Sequence, residues 1–133
     1  MKYMLDTNIL IYAIKNKPEV VLKRIQKVEP GDLCISTVTY AELMHGVEKS
    51  DYPDRNRFAL ALLLARIEVF DFDERAAECY GVVRADLERK GTLIGPLDMM
   101  IAGHALSRGC ILVTNNIREF SRVKNLKIQN WAE

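Results

Sequence analysis

The chain has 133 residues, of which 49% are hydrophobic and 28% charged, a composition typical of one globular domain that spans residues 1–133. Its formal net charge of +1 argues against a protein that coats nucleic acid through a global basic field, so any contact with nucleic acid must come from local charge or from bound metal. No signal-peptide pattern occurs, and no apolar run reaches the roughly 18 residues that a membrane helix needs. We therefore expect a cytoplasmic protein with no membrane contact.

The three cysteines are odd in number and show no CxxC spacing. Cys34, Cys79 and Cys110 each lie among apolar neighbours. We expect buried, reduced thiols rather than disulfides or metal ligands.

Short apolar runs alternate with helical patterns from the start of the chain. Residues 2–5 predict a first strand that stops at Asp6. Thr7 or Asn8 is expected to cap the helix that follows through residues 9–14, because short polar side chains accept hydrogen bonds from the first free backbone amides of a helix.

The rest of the chain continues this alternation. Further helices are predicted over residues 18–28, 38–47, 54–65, 73–89 and 98–106, and further strands over residues 33–35, 67–70, 111–113 and, more weakly, 127–129. Apolar strands of three or four residues between helices are typical of a parallel sheet covered on both faces. We predict an α/β fold of three layers, α/β/α, with a central sheet of four or five short parallel strands.

Four acidic residues fall near the carboxyl ends of the predicted strands. Asp6 follows the first strand directly, Glu42 lies on the helix after the second, Asp98 begins the helix that leads to the fourth, and Glu119 lies a few residues beyond the fourth. Ligands of open parallel sheets bind at this edge. We therefore expect the four carboxylates to form one catalytic site.

Such a cluster needs cations. Two carboxylates about 5 Å apart repel each other by about 3 kcal/mol at an effective dielectric of 20, and oxygen ligands select hard ions such as Mg²⁺ or Mn²⁺. A site of this kind suits hydrolysis of phosphodiester bonds. Taken singly, Asp6 and Asp98 are as well explained as helix caps, and Glu42 and Glu119 as surface charges; only their joint placement favours a site.

Four segments resemble those of a known family. In chain order they are residues 4–9 (MLDTNI), 36–46 (STVTYAELMHG), 94–102 (IGPLDMMIA) and 112–120 (LVTNNIREF). With these segments the chain resembles PIN-domain proteins, and among them the VapC toxins of bacterial VapBC toxin–antitoxin pairs.

The resemblance implies a PIN fold and a Mg²⁺- or Mn²⁺-dependent endoribonuclease that cuts structured RNA such as tRNA and is inhibited by a cognate VapB-type antitoxin. It assigns Asp6, Glu42 and Asp98 to the metal site, Glu42 either directly or through water. Polar positions that line such a site or orient its carboxylates are matched by Thr7, Asn8, Ser36 and Thr114, with Asn115 and Asn116 beside them.

One position departs from the family pattern. Many PIN proteins carry a further aspartate where this chain has Asn116, and Glu119 is the nearest carboxylate that could replace it. One ion at Asp6 and Asp98, with a second arriving together with RNA, is then as good a prediction as two resident ions.

The sequence gives weaker indications of binding partners than of the catalytic site. Lys15 and Arg118 lie in segments beside the expected site and are candidates for RNA phosphates, although solvated surface charges explain them equally simply. Residues 58–64 carry more apolar side chains than one helix face can bury, so a homodimer interface or an antitoxin contact explains them as well as plain burial does.

Other interpretations remain open. His104 lies about 120° around its helix from Asp98, which favours a packing role over that of a base. A receiver-type signalling module would need Asp71 as phosphoacceptor, but the chain lacks the other acidic residues and the lysine of that site. A PIN-like module that binds RNA or protein without cutting is the main alternative.

Overall fold

The computed structural model describes residues 1–133. Five strands form one parallel sheet in the order β3-β2-β1-β4-β5, with bounds β1 Tyr3–Leu5, β2 Leu33–Ser36, β3 Glu68–Phe70, β4 Ile111–Val113 and β5 Ile128–Gln129. Seven α-helices surround it: α1 Thr7–Lys15, α2 Glu19–Lys27, α3 Thr37–Glu48, α4 Pro53–Leu64, α5 Glu74–Lys90, α6 Pro96–Arg108 and α7 Ile117–Phe120. The three-layer α/β/α fold predicted from the sequence is confirmed.

The two faces of the sheet carry separate cores, because side chains alternate along a strand. Met4 and Leu112 point to one face and pack with α5 and α6. Leu5 and Val113 point to the other face and pack with α1, α2, α3 and α4. The central strands β1 and β4 are thus covered on both sides, which explains why they are almost wholly apolar.

Helices α5 and α6 lie unusually close to each other. A Cβ atom placed on Gly103 of α6 would come within 2.6 Å of the backbone nitrogen of Tyr80 of α5. Only glycine permits this approach, so Gly103 fixes α6 against its neighbour.

Several local predictions need correction. Asp6, and neither Thr7 nor Asn8, caps α1, because its side chain accepts from the amide of Ile9. Helix α6 begins at Pro96, so Asp98 is its third residue. The short helix α7 was not predicted, since four residues carry too little periodicity.

The cysteine prediction is correct for two residues and wrong for the third. Cys34 and Cys110 are buried and free, whereas Cys79 is partly exposed on α5. No helix of the structure combines the length and the apolar character needed to cross a membrane.

Candidate active site

The candidate site lies where the two central strands end. Leu5 of β1 pairs with Val113 of β4, and the amide of Asp6 donates to the carbonyl of Val113 over 3.0 Å. This register sets Asp6 and Thr114 side by side at the carboxyl edge of the sheet. Both residues are buried, with 5% and 0% of their surface exposed.

Asp6 is a buried carboxylate. Its Oδ1 accepts a hydrogen bond of 3.0 Å from the amide of Ile9 in the first turn of α1. The pKa of Asp6 is raised to about 6, first by burial and then by the charges of Asp98 and Glu42, while hydrogen bonds from Thr114 and Ile9 act in the opposite direction. The aspartate therefore holds its proton more tightly than an exposed one, and a nearby cation would favour its ionised form, with the proton released to solvent.

Glu42 lies in the middle of α3 and is half-buried. Its Oε1 accepts a hydrogen bond of 2.6 Å from the hydroxyl of Thr7, the first residue of α1. One carboxylate oxygen of Glu42 is thereby fixed beside Asp6, which leaves the other oxygen available.

Asp98 approaches the same place from α6. Burial raises its pKa, and the charges of Glu42 and Glu119 raise it further. A Cβ atom on Gly95 would lie 3.4 Å from Oδ2 of Asp98, so the glycine before the helix leaves room around this carboxylate.

The electrostatic couplings thus join carboxylates from four separate segments. The charges of Asp98 and Glu42 raise the pKa of Asp6, and the charges of Glu42 and Glu119 raise the pKa of Asp98. None of the five ion pairs of the structure includes any of the four. The cluster therefore has no protein cation to balance it.

The carboxylates do not form a closed metal cage. No three acidic, histidine or cysteine side chains converge tightly enough to enclose an ion by themselves. This arrangement differs from a structural zinc site, in which four side chains enclose the ion.

The polar residues around the cluster take different positions. Thr114 accepts from the amide of Asn116 over 2.9 Å, which fixes the turn after β4. Asn115 points to α1, where its Nδ2 donates to the hydroxyl of Tyr12 over 2.7 Å. Asn8 is exposed at the start of α1.

Ser36 is fully buried at the end of β2 and caps α3 by accepting from the amide of Val38 over 3.0 Å. Its hydroxyl also lies 2.8 Å from Nδ1 of His104 on α6. Sequence reasoning assigned His104 to packing and did not predict this bond, because 68 positions separate the two residues.

The two basic candidates lie at the edges of the site. Lys15, at the end of α1, shares with Glu42 the wall of a cavity of about 340 Å³ that is otherwise lined mainly by apolar side chains of α1, α3 and α4. Arg118 is exposed on α7 and directly precedes Glu119. Both side chains are free of salt bridges with protein carboxylates.

Comparison with known proteins agrees with this geometry. The family model described as "PIN domain" matches residues 3–126. The chain therefore belongs to the PIN-domain family.

Individual relatives place it more narrowly. The chain is 51% identical over 132 residues to the tRNA(fMet)-specific endonuclease VapC of Shigella flexneri, a match that covers 99% of both chains. A crystal structure of DNA-bound VapBC from Salmonella typhimurium superposes with a TM-score of 0.93 at 49% identity, over 98% of each chain. VapBC2 from Rickettsia felis, bound to a DNA fragment from its promoter, also gives 0.93, at 40% identity over 98% of this chain and 99% of that one. Within the PIN-domain family, the chain is one of the VapC proteins.

Proposed function

We propose that this VapC protein is an endoribonuclease toxin that hydrolyses tRNA with Mg²⁺ or Mn²⁺ held by Asp6 and Asp98, and by Glu42 directly or through water. Its VapC membership makes it an RNA-cleaving enzyme. The observation that supports a bound metal ion is the cluster of partly buried carboxylates, whose charges repel one another and which no lysine or arginine of the protein balances. The initiator tRNA is the proposed substrate because two relatives that are 51% and 49% identical are named tRNA(fMet)-specific.

The residues fit a hard divalent ion. All candidate ligands are carboxylate oxygens, and Thr114 and Ile9 hold the Asp6 carboxylate in place. When bound, such an ion supplies an acidified water and balances charge on the phosphate and the leaving oxygen. Asp6 and Asp98 are the expected direct ligands, since burial and mutual repulsion make their ionised forms the most dependent on a cation.

Glu42 has a different task in this scheme. Because Thr7 holds one of its oxygens, the other oxygen can accept a proton from a water at the site or orient that water towards a phosphate. Glu119, whose charge raises the pKa of Asp98, is the expected anchor for a second ion that arrives with RNA. Lys15, which shares a cavity wall with Glu42, and Arg118, which precedes Glu119, are the proposed contacts to RNA phosphates.

The expected protein partner is a VapB-type antitoxin. Solved structures of related VapC chains are of VapBC complexes from Salmonella typhimurium, Rickettsia felis and Haemophilus influenzae. A second copy of the chain is the other proposed partner, through exposed apolar residues of α4.

The decisive experiment is RNA cleavage by the purified chain. Transcribed tRNA(fMet) should be cut once in Mg²⁺ or Mn²⁺, leaving a 3′-hydroxyl and a 5′-phosphate, and chelation should abolish the cut. Asp6→Asn and Asp98→Asn should both be inactive, whereas Asp51→Asn, which changes an exposed loop aspartate, should match the wild type. Full activity of both site variants would refute the mechanism. If the wild-type protein binds the tRNA but leaves it uncut, the alternative of a PIN-like module that binds without cutting would be favoured.

A further inference from the structure

The buried contact between Ser36 and His104 joins the two helices that carry Glu42 and Asp98. Ser36 caps α3 six residues before Glu42, and His104 lies on α6, six residues after Asp98. Six residues of helix correspond to about 9 Å along the axis. The 2.8 Å contact between Oγ of Ser36 and Nδ1 of His104 thus links α3 to α6 about 1.7 helical turns away from the carboxylates.

Packing alone does not explain a histidine at this position. His104 is 0% exposed, and its Nε2 has no hydrogen-bond partner. An unpaired buried nitrogen lowers stability, which an apolar side chain of similar size would avoid. Burial also lowers the pKa of His104, so the ring is neutral at pH 7 and cannot balance the charge of the carboxylates.

The surroundings make this contact rigid. The amide of Val38 donates to Ser36, so the hydroxyl is fixed by the first turn of α3. The ring of Phe72 lies edge-on to His104 with centroids 5.5 Å apart, and the amide of Phe72 donates to the hydroxyl of Thr37 over 3.0 Å. Gly103, directly before His104, holds α6 against α5. His104 is therefore fixed on one side to the α5–α6 pair and on the other to the start of α3.

From this geometry we infer that His104 is a positioning residue, which through Ser36 sets the spacing of α3 and α6 and thereby the spacing of Glu42 and Asp98 around the metal. The inference rests on the proposed function, because it concerns the site that function requires. Neither His104 nor Ser36 touches the substrate in this scheme. Their contribution is to make the carboxylates converge before the ion binds.

Two substitutions of His104 separate positioning from packing. His104→Leu fills the same space and removes the unpaired nitrogen, but it also leaves the buried Ser36 hydroxyl without its partner on α6, so these two effects oppose each other. We expect its melting temperature to stay close to that of the wild type, while its affinity for Mn²⁺ falls about tenfold. His104→Asn is smaller but keeps a polar atom at the place of Nδ1. It should melt at a lower temperature and keep its Mn²⁺ affinity within about twofold, because its amide still reaches Ser36.

The test is titration of the full-length variants with Mn²⁺ by calorimetry, with melting temperatures measured on the same samples. Ser36→Ala should weaken Mn²⁺ binding as much as His104→Leu does, and the double variant no further, because both changes remove one contact. Val83→Ala, which shortens a buried side chain of α5 in the same core, is the matched control that loses stability without losing affinity.

The outcomes are distinct. If Mn²⁺ affinity follows the melting temperature through all variants, or if His104→Leu binds Mn²⁺ like the wild type, the positioning role is refuted while the nuclease proposal stands. If the wild type itself binds no Mn²⁺, the proposed metal dependence fails and the inference falls with it. Opposite changes in affinity and melting temperature for the leucine and asparagine variants would support it.

Discussion

The hydroxyl of Thr7 donates to Oε1 of Glu42 over 2.6 Å and so joins the first residue of α1 to the middle of α3. Asp6 directly precedes Thr7 and caps the same helix. The orientation of Glu42 is therefore set relative to Asp6 by one hydrogen bond between adjacent helices.

Removing this hydroxyl should impair catalysis more than stability. Thr7→Val keeps the shape of the side chain but frees Glu42, so we expect kcat for tRNA cleavage to fall about tenfold while the melting temperature changes little. Thr7→Ser keeps the donor and should retain most of the activity. Steady-state kinetics on the three proteins would decide, and wild-type kcat in the valine variant would show that Glu42 needs no such support.

The buried charge of Asp6 should make the metal-free protein less stable as the pH rises. Its pKa is about 6 in the folded chain and 3.8 for an ordinary aspartate. Below pH 4 both the folded and unfolded states carry the proton, whereas between about pH 4 and 6 only the unfolded state loses it. Stability should therefore fall by about 3 kcal/mol over this range and then level off.

Asp6→Asn isolates this effect, because asparagine also caps helices but carries no charge. The variant should be more stable than the wild type at pH 7 and similar to it at pH 3.5, as judged by urea unfolding in the presence of chelator. Asp51→Asn should follow the wild-type curve at every pH, since this aspartate is exposed. Parallel curves for Asp6→Asn and the wild type would contradict the assignment of a raised pKa.

Divalent ions should stabilise the protein only when the direct ligands are intact. Mn²⁺ at 100 times its dissociation constant adds about 2.7 kcal/mol to the free energy of unfolding. We expect this gain for the wild type and for Glu119→Gln, and little or none for Asp98→Asn. Thermal unfolding with and without Mn²⁺ measures it, and an undiminished gain in Asp98→Asn would remove Asp98 from the ligand set.

Parts of this site could be predicted from sequence because their signals are local. An apolar run that ends in Asp6 and a proline that starts the helix of Asp98 are readable within a few residues. The hydrogen-bonded pairs Thr7–Glu42 and Ser36–His104 could not be predicted in this way, because each joins residues at least 35 positions apart that only the packing of helices brings together. The cap of α1 was misassigned for a similar reason: Thr7 is a good cap by type, but its hydroxyl is taken by Glu42.

The number of ions should depend on residue 116. Asn116 caps α7, three residues before Glu119. Asn116→Asp adds a carboxylate three residues before Glu119, so a second Mn²⁺ should bind more tightly in the absence of RNA. Calorimetry should then give a stoichiometry close to two where the wild type gives one. Asn125→Asp, a similar change on the loop after α7, serves as the control. Equal stoichiometry in all three would mean that position 116 does not set the metal count.

Self-association should involve the exposed apolar residues of α4. Phe58 and Leu62 lie one helical turn apart and expose 67% and 62% of their surface, as much as solvated polar residues do. Side chains at this spacing share one face, and a second copy of the chain could bury both faces by two-fold symmetry. The double variant Phe58→Glu/Leu62→Glu should therefore sediment as a monomer where the wild type sediments as a dimer.

Val82→Glu changes an equally exposed residue of α5, at 71% exposure, and should leave the dimer intact. A dimer that survives the α4 substitutions, or is lost only with Val82, would move the interface to another face of the protein.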